Sequence, residues 1–230
     1  KNSLTYKILY KWSRKLYSKA DKILLGSESF KDYFVDVLNL PEKEMIYIPQ
    51  PSLIENDSSL AFKFDDKYTN ILYCGNLGLI QNIDTLVEAV KLIKDKNIRI
   101  NVIGMGPMSD YLTKAIEDNN LDENLIYFGP MTVERAKPYI VGSDFLYVSL
   151  KEEGYVGKTI PNKLVMYMSF GKPIVAMLGG DGKKILEDSD GAIFAEQNAE
   201  SLSKAFLACA GIDKDSRVKL GKNNLTYYNQ

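Results

Sequence analysis

The chain contains no histidine among its 230 residues, only two cysteines and one tryptophan. Without histidine, Ser-His-Asp and Cys-His nucleophile systems are excluded within this chain, and so is zinc held by imidazole. Cys74 and Cys209 stand far apart, one at a strand end and one in a helical stretch. No disulfide framework is indicated, and free buried thiols in a reducing, cytoplasmic compartment are expected. Charge of one sign is not in excess either: 29 Lys and Arg face 30 Asp and Glu, for a formal charge of -1. That balance gives no global electrostatic case for nucleic acid, so any anion site must be local. No apolar run approaches the ~20 residues a membrane span needs. What remains is an ordinary globular composition, 45% hydrophobic and 26% charged, long enough for one large domain or two small ones.

Position 1 is Lys, and the sequence starts inside a helical pattern, so a fragment is expected. Residues 1–23 carry Lys1, Lys7, Lys11, Arg14, Lys15, Lys19 and Lys22 against the single acid Asp21. Leu4, Leu9, Trp12, Leu16 and Tyr17 fall near helical spacing among them, which makes an amphipathic helix with a cationic face. Such a face is either a solvated surface or a peripheral contact with an anionic membrane, at the inner face of the cell membrane if so. A strand at Lys22–Leu25, a helix at Glu28–Val37 and a strand at Met45–Pro49 then make one βαβ-like unit, too small to be a domain alone. Residues 51–68 lack steady periodicity and read as a linker.

From Thr69 strands and helices alternate: strands at Ile71–Cys74, Ile98–Ile103, Leu125–Phe128, Phe145–Leu150, Ile174–Met177 and Ala192–Ala195, with helices at Ile83–Lys96, Met108–Asn119, Thr132–Val141, around Lys163 and at Lys183–Glu187. Two more helices close the chain. This order calls for a doubly wound parallel α/β sheet with right-handed crossovers over residues 69–230, after a partial N-terminal βαβ segment. Ligands of such sheets bind beyond the carboxyl ends of the strands.

At those ends the segment Thr159–Ala176, TIPNKLVMYMSFGKPIVA, carries the most information. Pro161 suits a first helical turn, and Lys163 lies in that turn, where the helix dipole alone would favour an acid. A phosphate shared by the lysine and the helix N-terminus resolves the conflict, although an ordinary crossover helix with a surface lysine fits the segment equally well. Three glycine turns precede it. Gly75-Asn76-Leu77-Gly78, with Gln81 close behind, lets backbone N–H groups approach a phosphate or sugar. Gly104-Met105-Gly106-Pro107 has the start of a dinucleotide fingerprint, but Ser109 stands where the third glycine belongs, and Asp122 and Glu123 precede the next strand instead of following it, which argues against NAD. Gly129-Pro130-Met131 offers either a surface for a flat base or a plain tight turn. The longest loop, Lys151–Ile160, holds Glu152, Glu153, Gly154, Gly157 and Lys158; its acids either bind sugar hydroxyls or are solvated. Adjacent carboxylates do not flank a bond from opposite sides, so paired-acid hydrolysis is not indicated.

Taken in order, ILYCGNLG, INVIGMGP, NLIYFGPM and PNKLVMYMSFGKPIVA resemble the donor-binding half of the GT-B glycosyltransferases of the glycosyltransferase 4, or group 1, type. Residues 20–50 resemble the end of that family's N-terminal domain, and the last motif is similar to the PxKxxEYxxxGKPIV form of a branch that elongates bacterial surface polysaccharides. The resemblance implies the Rossmann-like half of a GT-B fold, with residues 1–50 as a remnant of the acceptor domain, 51–68 as a linker and 69–230 as the donor-binding domain. It implies a retaining transfer from a nucleotide-diphosphate sugar, UDP-linked, to a saccharide or lipid-linked acceptor held by the missing N-terminal domain. Lys163 would neutralise the donor diphosphate, with Lys158 as a compensating cation. Gly75, Asn76, Gly78, Gln81, Gly104, Gly106, Glu153, Gly157 and Asn162 would line the donor path, and Met131 would border the base. No metal, cofactor or nucleic acid is implied.

The pattern departs from the family at two places. The family's ExxxxxxxE glutamates fall on Lys158 and Met166, and a thioether cannot hold ribose hydroxyls as a carboxylate does. The GRxxxxKG arrangement of many relatives is replaced by Gly75-Asn76 and Gln81. A non-catalytic nucleotide-sugar-binding or partner-binding relative fits the same departures.

Overall fold

The computed structural model of the chain describes residues 3–40, 45–52 and 61–230. The short, continuous apolar runs form six strands, β3 (Thr69–Cys74), β4 (Ile98–Ile103), β5 (Leu125–Tyr127), β6 (Phe145–Ser149), β7 (Ile174–Met177) and β8 (Ala192–Phe194), of which β6 and β7 are buried throughout and the edge strands β5 and β8 only in part. All pair in parallel, in the order β5-β4-β3-β6-β7-β8, with Cys74 opposite Ile103, Leu72 opposite Leu146 and Ser149 opposite Met177. Chain order therefore reverses between β3 and β6, and the crevice beyond their carboxyl ends is where such a sheet takes ligands.

Alternate side chains feed two cores, as the two-residue period of a strand requires. Ile71, Tyr73, Phe145 and Tyr147 pack with α2 (Ile83–Lys91), α3 (Ser109–Asn119) and α7 (Ala199–Gly211) through Val87, Leu112 and Phe206. Leu72, Leu146 and Val148 pack on the other face with α4 (Val133–Gly142), α5 (Asn162–Ser169) and α6 (Gly180–Ser189) through Ile140, Tyr167 and Leu186. Asn198 and Asp213 cap α7 and α8 (Lys214–Tyr228) by accepting the N–H groups of Ser201 and Ser216.

The N-terminal part holds α1 (Leu4–Ser18), β1 (Ile23–Leu25) and β2 (Met45–Tyr47), with β1 and β2 parallel. A small cluster of Ile23, Leu25, Phe34, Leu38 and Leu40 serves it. The helix expected at 28–37 is present without a break, opening as a 3-10 turn, Glu28–Phe30, and closing as a π turn, Tyr33–Val37. The Ser29 N–H goes to Asp181 and the Asp32 carboxylate to Lys158, partners that no local reading of 28–37 contains. Residues 53–60 of the expected linker lie outside the described residues. The part that follows is not free: the Phe62 ring stacks on Tyr139 at 4.1 Å, and the Phe62 N–H donates to the Pro138 carbonyl at 2.8 Å.

Candidate functional site

Helix α5 begins at Asn162, and Pro161 occupies the N-cap with extended backbone, φ -67 and ψ 134, one place earlier than a first-turn proline. Its first turn contains no acid and Pro161 has no capping side chain, so the leading N–H groups have no side-chain acceptor of their own. Tyr167 fixes the helix to the sheet: its hydroxyl accepts the Cys74 N–H at 2.8 Å and lies 3.1 Å from the Cys74 carbonyl. Burial pushes that phenol well above its ordinary range. Sequence reasoning missed Tyr167, although its place one turn after Lys163 put it on the same helical side.

From α5, on one face of the sheet, Lys163 reaches over the carboxyl edge to Tyr73, whose ring belongs to the opposite core. Its Nζ lies 3.7 Å from the Tyr73 ring centroid. The path exists because Gly75 has no side chain: a Cβ there would sit 3.2 Å from both Cε and Nζ of Lys163. The ammonium nitrogen is buried, and among the described residues it has no hydrogen-bond acceptor. Burial pushes Lys163 down to about 7 from its ordinary 10.5. A ring face partly satisfies a cation, whereas a buried ammonium without an anion remains costly. The site thus sets a buried lysine amine, without an acceptor among the described residues, at a helix N-terminus beside the switch point of the sheet.

The three glycine turns lock to one another. Gly75 N–H donates to Ile103 O at 2.9 Å, Leu77 N–H to Met105 O at 2.9 Å, and Gly104 N–H to Gly129 O at 3.0 Å. A Cβ on Gly104 would fall 1.8 Å from the Gly75 carbonyl oxygen, and one on Gly106 would fall 2.4 Å from that of Leu77. The close approach these two glycines permit is that of one loop to the next. Gly78 leaves room for amides: its Cβ would meet Gln81 Oε1 at 2.3 Å and Asn76 Nδ2 at 2.9 Å. Gln81 Oε1 is itself buried and unpaired among the described residues. Tyr73 supports this turn from below, donating to the Asn76 carbonyl at 2.5 Å.

The remaining expected residues divide. Asn162, Glu153 and Glu152 are all exposed, and of the two acids it is Glu152 that lies near Gly179, 3.5 Å from Gln197 Nε2. Gly157 folds the loop back on itself, since its Cβ would lie 2.6 Å from the Glu152 Cα. Met131 and Met166 are both half-buried against the core beneath α5, so Met166 behaves as a packing thioether. The Nζ of Lys158, the expected compensating cation, pairs with Asp32 at 3.0 Å, and that bond holds the ammonium above its ordinary value.

Residues 68–211 match the model of the glycosyl transferases group 1 family, which is more than half of the chain. The chain belongs to that family, and its six-stranded lobe is the Rossmann-like half of a GT-B fold. It is similar to the probable glycosyltransferase WbjE of Pseudomonas aeruginosa, 26% identical over 207 residues, covering 82% of this chain and 49% of that protein. The chain thus spans about half the length of that relative. Among solved structures, sucrose-phosphate synthase from Thermosynechococcus elongatus superposes with a TM-score of 0.77 at 17% identity, covering 100% of this chain and 59% of the other. HepE from Anabaena, solved in complex with UDP and glucose, superposes at 0.77 and 14% identity, covering 96% of this chain and 62% of its own. At such identities the likeness is one of fold.

Proposed function

We propose that this chain provides the donor-binding portion of a retaining glycosyltransferase, which moves a sugar from a UDP-linked donor to a polysaccharide or lipid-linked acceptor. One observation carries the reading: the buried Lys163 ammonium, without an acceptor among the described residues, at the α5 N-terminus and the sheet's switch point. A diphosphate placed there would pair the cation and accept from the leading amides of α5. The same groups would stabilise the charge that develops on the diphosphate as the sugar departs. Gln81 Oε1, buried and without a partner among the described residues, would accept from a donor hydroxyl. Family membership supports sugar transfer, and the UDP-bound HepE structure supports the donor class. The acceptor would be held by sequence corresponding to the other half of the longer relatives.

Helix α1 adds a lipid face to this reading. Leu4, Leu9, Trp12 and Leu16 are exposed, and Lys7, Lys11, Lys15 and Lys19 run in one i, i+4 row beside and partly among them. Exposed apolar side chains with a row of lysines beside them suit an anionic bilayer surface, where a lipid-linked acceptor would reside. No helix among the described residues is long and apolar enough to cross a membrane.

The deciding experiment is a thermal-shift panel of nucleotides and nucleotide-sugars at ~1 mM on this chain. Any ligand binding the folded state more tightly than ~10 μM should raise Tm by an amount equivalent to at least about 2.7 kcal/mol. UDP and UDP-sugars are expected to shift Tm and uridine is not, because only the former carry the diphosphate. No shift with any diphosphate would overturn the reading.

A further inference from the structure

The 3-10 turn Glu28–Phe30 begins at Ser27, a residue type that ordinarily caps its own helix, yet its side chain makes no capping bond to that turn. Its hydroxyl points to Asp181 Oδ2 at 2.8 Å, with the Lys158 carbonyl at 3.3 Å as a second acceptor. Asp181 Oδ2 also accepts the Ser29 N–H at 2.8 Å, and Oδ1 accepts the Ser29 hydroxyl. Asp181 stands in the first turn of α6, so a carboxylate of the donor lobe does for a distant turn what an N-cap does locally. Burial pushes this carboxyl up, and the bonds from Ser29 and Ser27 more than offset that, leaving it below its usual range. Ser27 is only 4% exposed, so the contact is not a loose surface pairing. Beside it, Lys158 meets Asp32 at 3.0 Å and Tyr155 meets Tyr33 edge to face at 5.3 Å.

The structure assigns Asp181 as a positioning residue: with Lys158 it latches residues 27–33 to the rim of the cleft, and the 151–160 loop couples that docking to occupancy of the Lys163 site. The loop touches both places. At its start, Lys151 N–H donates to the Ile80 carbonyl at 2.9 Å, beside the Gln81 turn. At its end, Lys158 supplies a carbonyl and an ammonium to the latch, and the chain then enters α5 at Asn162 and Lys163. The backbone at Lys158 also presses on Gly180, whose φ of +57 and whose would-be Cβ, 2.4 Å from the Lys158 Cα, leave no slack between loop and α6. A ligand that orders the loop therefore favours the docked segment, and by linkage the docked segment favours the ligand equally. The coupling rests on the donor-site reading; the latch itself does not.

Hydrogen exchange on the whole chain, resolved over residues 23–37, 98–103 and 151–163, tests both parts. Asp181→Ala is expected to speed exchange at Ser29 by about tenfold or more, since a charge-assisted bond is lost, with residues 98–103 unchanged. Lys158→Ala should give a smaller rise, about twofold, as an exposed pair contributes little. Should Asp181→Ala also loosen residues 98–103, the double variant Ser27→Ala/Ser29→Ala decides, because it removes the two hydroxyl bonds to Asp181, keeps the Ser29 N–H bond and leaves α6 intact, so a smaller rise over 27–33 is expected from it. Unchanged exchange at 27–33 in both variants overturns the latch. With ~1 mM UDP, wild type should gain protection over 27–33 and 151–163, and Asp181→Ala over 151–163 only. Protection of 151–163 without 27–33 in wild type overturns the coupling. No protection by UDP anywhere overturns the donor-site reading and leaves the latch to the nucleotide-free comparison.

Discussion

The six-stranded lobe and the N-terminal segment contrast in what holds them. The lobe has a core on each face of six paired strands, and its cleft turns are fixed by backbone bonds from loop to loop. The segment has two short strands, one small cluster and a first helix with no buried residue, and its 27–33 turn borrows its cap from Asp181. One part supplies its own stability, whereas the other is shaped by what it docks against. The sharpest way to break the contrast is to attack the lobe where it is most self-supporting. Gly104→Ala would drive a Cβ to 1.8 Å from the Gly75 carbonyl at a φ of +147, and backbone on both sides leaves nothing flexible to move. The expected loss is ~5 kcal/mol in urea unfolding. Gly129→Ala is the control: its φ of +75 carries the left-handed penalty of ~1–2 kcal/mol, but nothing lies within 4 Å of the new atom. Equal losses would show that conformation, and not loop-to-loop contact, makes Gly104 necessary.

A smaller effect, of opposite sign, should appear at Lys163. Its folded value of about 7 lies below the ordinary 10.5, so between these two values the unfolded chain binds a proton that the folded chain sheds. Stability of the ligand-free wild type should therefore rise with pH through that window, and the full penalty should be felt below it. Lys163→Met removes the penalty. The variant should exceed wild type by on the order of 2–4 kcal/mol at pH 6, with the gap closing toward pH 10, and should lose the Tm response to UDP. In wild type near pH 8, UDP binding should draw in a proton as the anion restores the ammonium, seen as buffer-dependent heats in calorimetry. A variant less stable than wild type at pH 6 would mean that the ammonium is better satisfied than its surroundings indicate.

Much of the lobe was legible because its determinants are local. β4 and β7 lie where their apolar runs predict them, and Lys163 is visible as a cation in a first turn that ought to hold an acid. The rest depends on partners remote in sequence. Gly104 and Gly106 look like phosphate-loop glycines, yet the contacts they avoid are with Gly75 and Leu77, some thirty residues earlier. Lys158 looks like a cleft cation, but its partner Asp32 lies 126 residues away, and the cap of Ser29 lies 152 residues away. No periodicity or spacing encodes such pairs. Met166 falls where the family pattern has a carboxylate, and on α5 it is half-buried against the core.

The smallest effect on folding belongs to the segment, and it discriminates between two uses of one surface. Trp12 is 71% exposed and Leu16 68%, and α1 buries no residue. Replacing both with Ser should change unfolding free energy by less than ~0.5 kcal/mol, as expected of surface positions without special contacts. If α1 meets an anionic bilayer, the same variant should lose most of its co-sedimentation with phosphatidylglycerol vesicles, because an apolar wedge is needed to turn electrostatic attraction into binding. Charge alone would leave partial binding that disappears above about 0.5 M salt, where screening shortens its reach to a few ångströms. A folding loss above ~1 kcal/mol would instead show that this stripe packs against protein, and the segment would then be held on a second side, as the lobe is.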